Sequence, residues 1–82
     1  MRYEIELLQI EDADWPSDRV VSSRGVDAGE DFVDACQKAQ GLIETEKISV
    51  LADYVVAQVV GYREDDEGDD GEIFFSCRKG KD

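Results

Sequence analysis

The chemistry open to this sequence is limited first by a residue type that it lacks. Among its 82 residues there is no histidine, the side chain that most often serves as a general base, activates serine and cysteine nucleophiles, and binds zinc. Catalysis would therefore depend on the 21 carboxylates or on the two cysteines. A pair of catalytic carboxylates must be held across a substrate cleft, which a chain of this length seldom builds. The residue types thus predict a protein that is not an enzyme.

The two cysteines, Cys36 and Cys77, are predicted to be core residues. Cys36 lies on the apolar side of a predicted helix, with no cation nearby to stabilise a thiolate. Arg78 and Lys79 follow Cys77 and could stabilise its thiolate. Cys77 nevertheless alternates in phase with Phe75, as a core residue of a strand does. We expect both thiols to be reduced and unreactive, and their spacing fits no metal-binding motif.

One segment carries a dense set of oxygen ligands. Seven acids occur within nine residues: Glu64, Asp65, Asp66, Glu67, Asp69, Asp70 and Glu72. A calcium loop that started at Asp65 would have Asp70 where glycine is required and Ser76 where a bidentate glutamate belongs. A start at Asp66 fails because Cys77 then occupies the position of that glutamate. The sequence predicts a flexible, solvated loop here, with no bound metal or other cofactor.

The charge balance determines which partners the chain can approach. Nine Lys and Arg oppose the 21 acids, for a formal net charge of −12. Such a field repels the phosphates of nucleic acids and anionic membrane surfaces. The small basic tail formed by Arg78, Lys79 and Lys81 cannot offset it. We therefore expect no direct binding to nucleic acid or membrane, and we expect attraction to basic protein surfaces.

The spacing of apolar residues predicts one helix. Asp27 and Glu30 have the spacing of a capping box, so we expect the helix to begin within residues 27–30. It should end between Ile43 and Lys47, and Gly41 should weaken it. Its apolar stripe is formed by residues three and four apart, Phe32, Cys36, Ala39 and Ile43, with Val33, Ala35 and Leu42 alongside.

Four segments are predicted to be strands because their residues alternate or are β-branched: 3–10, 19–26, 54–63 and 73–78. The last two should pair as a hairpin. The order β-β-α-β-β predicts an α+β fold, a single domain over 1–82 in which a four-stranded antiparallel sheet packs one face against the helix. Leu8 and Ile10 break the alternation of the first strand, which predicts either a bulge or a strand covered on both faces.

Two classes of function fit these patterns. The first is a non-enzymatic protein-binding module whose acids dock on a basic protein, as an inhibitor that mimics DNA would. Its candidate contacts are the acids of the helix start and of the acidic loop: Asp27, Glu30, Asp31, Asp34, Glu64, Asp65, Asp66, Glu67, Asp69, Asp70 and Glu72. The second is a structural or accessory protein whose acidity serves solubility or adaptation to salt. One version of this second hypothesis is a homodimer. The charged start of the chain, without an apolar leader, predicts a cytoplasmic location.

Overall fold

The computed structural model describes residues 1–11, 19–63 and 71–80. Within these ranges the chain forms four strands and one helix: β1 (Arg2–Glu11), β2 (Arg19–Gly29), α1 (Phe32–Thr45), β3 (Tyr54–Tyr62) and β4 (Glu72–Gly80). The strands lie in the order β2-β1-β3-β4, each antiparallel to its neighbours, with α1 packed on one face of the sheet. The predicted fold class and order of elements are confirmed.

The core lies between α1 and the two central strands. Ile5 and Leu7 of β1 are buried and pair with Val59 and Ala57 of β3, which are buried as well. Leu8 and Ile10 take the opposite face, since β1 pairs with β3 without a register shift. A register shift does occur between Gln9 and Ile10, but it lies in the pairing with β2, where Val21 is the extra residue. Leu8 and Ile10 are half-buried on the face opposite α1, which no described helix or strand covers.

The helix begins later than the capping-box spacing predicted. β2 continues to Gly29 because Ala28 forms a bulge whose side chain is buried under the helix, and Gly29 then turns the chain with a φ of 79°. The N-cap is Asp31, whose side chain accepts hydrogen bonds from the backbone N–H groups of Val33 and Asp34. Asp27, the predicted cap, instead accepts a hydrogen bond from the backbone N–H of Gly29 at 3.1 Å.

The apolar stripe of α1 is also shifted from its predicted position. The buried positions are Ala35, Ala39 and Ile43, whereas Cys36 is half-buried and Phe32 is 38% exposed. Ala35, Ala39 and Ile43 recur every four positions along one line of the helix surface. Phe32, at the first turn, therefore lies at the border of the core.

A buried glutamine, which sequence patterns did not reveal, fixes the connection from α1 to β3. The side-chain amide of Gln9 donates to the carbonyl of Lys47 and accepts from the N–H of Ser49, both at 2.8 Å. The N–H of Asp53 donates to the carbonyl of Ile10 at 2.8 Å. These bonds satisfy the carbonyl of Lys47 and the N–H groups of Ser49 and Asp53, and they attach residues 46–53 to β1.

The predicted hairpin of β3 and β4 is confirmed, with one irregularity. Val59 pairs with Phe75 and Val60 pairs with Ile73, so Phe74 is an extra residue in a bulge. Phe75 packs against the core, and Phe74 contacts rings on the helix side of the sheet. Strict alternation would have placed these two phenylalanines on opposite faces.

In the part of the chain that the structure describes, no helix has the length and apolar character needed to cross a membrane.

Candidate functional site at the acidic end of the sheet

One end of the sheet brings together residues that are far apart in the sequence. Tyr3, near the start of β1, pairs with Gly29 at the end of β2 and with Gly61 near the end of β3. Gly61 in turn pairs with Glu72, the first residue of β4. Because neighbouring strands lie about 4.8 Å apart, this row of four residues spans about 14 Å. We call this edge, together with the start of α1 that follows Gly29, the acidic end.

The described members of the predicted contact set all lie at the acidic end: Asp27, Glu30, Asp31, Asp34 and Glu72. The other members lie outside the described residues: Glu64, Asp65, Asp66, Glu67, Asp69 and Asp70. Their described neighbours, Arg63 and Gly71, adjoin the acidic end, since β3 ends and β4 begins there. Two groups of acids that are separate in the sequence thus attach to one edge of the fold.

The acids at this end differ in the hydrogen bonds and ion pairs that their carboxylates make. Asp31 caps α1, its Oδ1 accepting from the N–H of Val33 at 2.9 Å. Asp34 lies 3.3 Å from the ammonium of Lys38, one helical turn away. Glu30 and Glu72 are exposed and make no ion pair with the described part of the chain. These last two carboxylates are available to a cation from outside.

An aromatic cluster lies among these acids. It consists of Tyr3, Phe32 and Phe74, whose ring centroids are 5.6 to 6.2 Å apart in tilted and edge-to-face arrangements. The side chain of Met1 adjoins it, since the sulfur of Met1 and the ring of Phe74 both lie over the Cα of Gly61. Phe74 is 42% exposed and Met1 46%. An open aromatic surface of this kind is typical of a contact site.

The sequence patterns do not predict this cluster. Phe32 was predicted to be a core residue of the helix, and the alternation of β4 predicted that Phe74 would face away from Phe75. The bulge in β4 brings Phe74 to the helix side, where it meets Phe32. A bulge leaves no reliable mark in an alternating pattern, so the sequence offered no signal for this contact.

The net charge is distributed unevenly along the chain. The described residues hold eight of the nine Lys and Arg and 11 of the 21 Asp and Glu, a net charge of −3 out of −12. Residues 64–70, which connect Arg63 to Gly71, hold six acids and no cation. The acidic end therefore adjoins a segment with half of the whole net charge.

Two ion pairs lie toward the opposite end of the sheet. The guanidinium of Arg19 contacts Glu11 and that of Arg24 contacts Glu46, both at 2.7 Å. The ammonium of Lys79 donates to two backbone carbonyls at the end of α1, at 2.9 and 3.1 Å. The cations of the acidic end are Arg2, Lys38 and Arg63; Arg2 lies 3.6 Å from Glu4 and Lys38 lies 3.3 Å from Asp34. Negative charge without a nearby counterion is thus concentrated at the acidic end.

The described residues offer little for catalysis or metal binding. No group of three Cys, Asp or Glu in 1–11, 19–63 and 71–80 is arranged to hold a metal ion. A groove of about 230 Å³ lies beside α1, lined by Leu7, Gln9, Ser22, Ser23, Arg24 and Glu46. Its charged and amide groups already bond to one another or to the backbone. It is also smaller than most small-molecule sites, which measure roughly 300–1,000 Å³.

The two thiols face the core from opposite layers. Cys36 on α1 and Cys77 on β4 are both free, half-buried and packed against the hydrophobic core. Burial raises the pKa of the Cys77 thiol above its ordinary value of 9.0, and the neighbouring Cys36 raises it further. A thiol with a raised pKa holds its proton at neutral pH, which lowers its reactivity.

The chain matches no protein-family model, and the same comparisons found no curated protein and no solved structure to which it is similar. The fold is a two-layer α+β sandwich of a sheet and one helix. An architecture of this kind supports many functions. Function therefore has to be argued from the acidic end itself.

Proposed function

We propose that this protein is a non-enzymatic binding module that docks its acidic end on a basic surface of another protein. One observation carries this proposal. Antiparallel pairing gathers the acids of the helix start and of β4 at the same edge to which the six acids of residues 64–70 are joined. Toward the opposite end of the sheet, Arg19 and Arg24 are paired with Glu11 and Glu46, and the segment 12–18 that adjoins this end holds three acids against the six of residues 64–70.

A concentrated negative field suits a docking role. Opposite charges on two surfaces accelerate their encounter and fix their orientation, and like charges exclude wrong partners. A protein groove lined by Lys and Arg for binding phosphates presents the complementary charge. The acidic end would occupy such a groove in the manner of an inhibitor that mimics DNA.

The experiment compares two variants with equal net charge. Glu30→Gln with Glu72→Gln removes two carboxylates from the acidic end, and Glu6→Gln with Glu44→Gln removes two from elsewhere. The tagged proteins are used to capture partners from host lysate, elution proceeds in steps of KCl, and captured proteins are identified by mass spectrometry. We expect one basic protein to elute at about 0.2–0.6 M KCl from the wild type and the control, and at lower salt from the acidic-end variant.

Two results would count against the proposal. If the acidic-end variant and the control release the same basic protein at the same salt concentration, the docking surface lies elsewhere. If no basic protein is retained by the wild type, the acidity does not serve protein binding.

A second proposal is an accessory protein that forms a homodimer through the sheet face opposite α1. Apolar residues on neighbouring strands form a patch on that face: Leu8, Ile10, Val20, Tyr54 and Val56. A dimer buried there would be disrupted by a charge at its centre, so Val56→Lys should halve the mass measured by sedimentation velocity. Val33→Lys, at an exposed position of α1, is the control. A wild type that sediments as a monomer at high concentration excludes this alternative.

A further inference from the structure

We infer that the aromatic cluster is the anchor point of the docking surface and that it receives an arginine side chain from a basic segment of the partner. This inference rests on the proposed function and specifies its chemistry. The cluster, formed by Tyr3, Phe32 and Phe74 with Met1, is partly exposed and lies at the strand row and helix start that carry the acids of the acidic end.

The acids beside the cluster favour a cationic occupant, since Arg2, the cation next to Tyr3, is already engaged by Glu4 and by the ring of Tyr62. Asp31 directly precedes Phe32, and Glu72 lies two residues before Phe74. Glu30 is exposed beside them. An anionic occupant would be repelled by these carboxylates, and a purely apolar one would leave them without a counterion. A cation that also has an apolar surface fits both parts of the site.

Arginine has this combination and lysine lacks it. The planar guanidinium can stack on an aromatic ring while its N–H groups donate two parallel hydrogen bonds to a carboxylate. The ammonium of lysine is compact and strongly hydrated, so it gains less from a ring face. A site with rings and carboxylates side by side therefore selects arginine.

Other rings of this protein already hold an arginine of the same chain. The guanidinium of Arg2 lies 5.6 Å from the ring centroid of Tyr62, and that of Arg78 lies 5.4 Å from the centroid of Tyr54. Within the described part of the chain, the rings of the aromatic cluster have no such cation. The cluster is thus an arginine-binding surface of the same chemistry whose arginine must come from another molecule.

The test uses two peptides of equal charge, nine arginines and nine lysines, titrated calorimetrically into the full chain. Phe74→Leu keeps apolar volume and removes the aromatic ring. We expect this variant to bind the arginine peptide about two- to fivefold more weakly than the wild type does, because cation–π contacts at exposed sites have about that strength. Its affinity for the lysine peptide should change less than twofold. Leu51→Ala, at an exposed apolar position in the connection from α1 to β3, should leave both affinities unchanged.

A second measurement does not depend on the variant's folding. In the wild type, the ring protons of Phe32 and Phe74 should shift in NMR spectra when the arginine peptide is added, and they should shift much less with the lysine peptide. The inference would be overturned if Phe74→Leu lost the same factor in affinity for both peptides, or if the ring protons responded to neither peptide. Either result would leave the proposed function standing. If the wild type binds neither peptide, the inference and the proposed function both fail.

Discussion

Asp31 combines two roles that substitution can separate. Its side chain caps α1 through bonds to the N–H groups of Val33 and Asp34, at 2.9 and 3.3 Å, and its charge adds to the field of the acidic end. Asp31→Ala should lower the free energy of unfolding by about 0.5–2 kcal/mol, and Asp31→Asn should stay close to the wild type because it keeps the accepting oxygen. Urea unfolding followed by circular dichroism measures both. Equal destabilisation by the two substitutions would mean that charge, and not the cap, holds the helix start.

Because of the Cys77 thiol, we expect the free energy of unfolding to depend on pH in the alkaline range. Burial, with the neighbouring Cys36, raises the pKa of Cys77 in the folded protein above 9.0. The folded state therefore holds this proton more tightly than the unfolded state does. The corresponding stability is fully present below about pH 9 and is lost as the pH rises through the folded pKa.

Comparison with Cys77→Ala isolates this effect from the other groups that titrate in the same range. The difference in unfolding free energy between wild type and variant should be constant from pH 7 to about pH 9 and should shrink above that. Urea unfolding at several pH values provides the curve. A difference that stays constant to pH 11 would show that the folded state does not perturb this thiol.

At the scale of elements, two glycines have opposite predicted effects. A Cβ on Gly61 of β3 would lie 2.6 Å from a ring carbon of Phe74 and 2.8 Å from the sulfur of Met1, so Gly61→Ala must displace the aromatic cluster. We expect a loss of about 1 kcal/mol, the low end of the usual cost of overpacking, because both contacts are with the ends of partly exposed side chains. Gly41 lies exposed within α1 with no atom near its would-be Cβ, and Gly41→Ala should add up to about 1 kcal/mol. Thermal unfolding compares them, and a neutral Gly61→Ala would mean that the cluster is loosely packed.

The elements themselves could largely be predicted from the sequence. Alternation in β1 and the β-branched residues of β3 predicted the central strands, and the spacing of Ala39 and Ile43 predicted the buried side of α1. The helix start was misplaced because the bulge at Ala28 prolongs β2, and an acid at Asp27 resembles a cap. Bulges are set by packing in three dimensions, so local spacing does not reveal them.

The candidate site could be predicted only in part, for a related reason. The two groups of acids were identified as contacts, but their position at one edge depends on strand pairing across the whole sheet. The contact of Phe32 with Phe74 depends on the second bulge, in β4. Phe32 was predicted to be a core residue. It is partly exposed within the site because the helix start lies at the border of the core.

At the scale of the whole molecule, the net charge of −12 should make stability depend on salt. Self-repulsion destabilises the folded state, and salt screens it over a Debye length of about 10 Å at 0.1 M. We expect the melting temperature to rise between 10 mM and about 0.3 M NaCl and then to level off. A rise that continues into molar KCl would favour adaptation to high salt as the reason for the acidity. A melting temperature independent of salt would show that the charges are too far apart to repel one another.

If the protein docks through its acidic end, a basic ligand should bind there, and NMR can map its position. Backbone amide shifts would be recorded by NMR for the wild-type chain during titration with the arginine peptide. If docking occurs at the acidic end, we expect the largest shifts among the described residues at Tyr3, at residues 30–34 and at residues 71–74. Largest shifts at Arg19–Arg24 or Val50–Leu51, or small shifts spread evenly over the sheet, would contradict it.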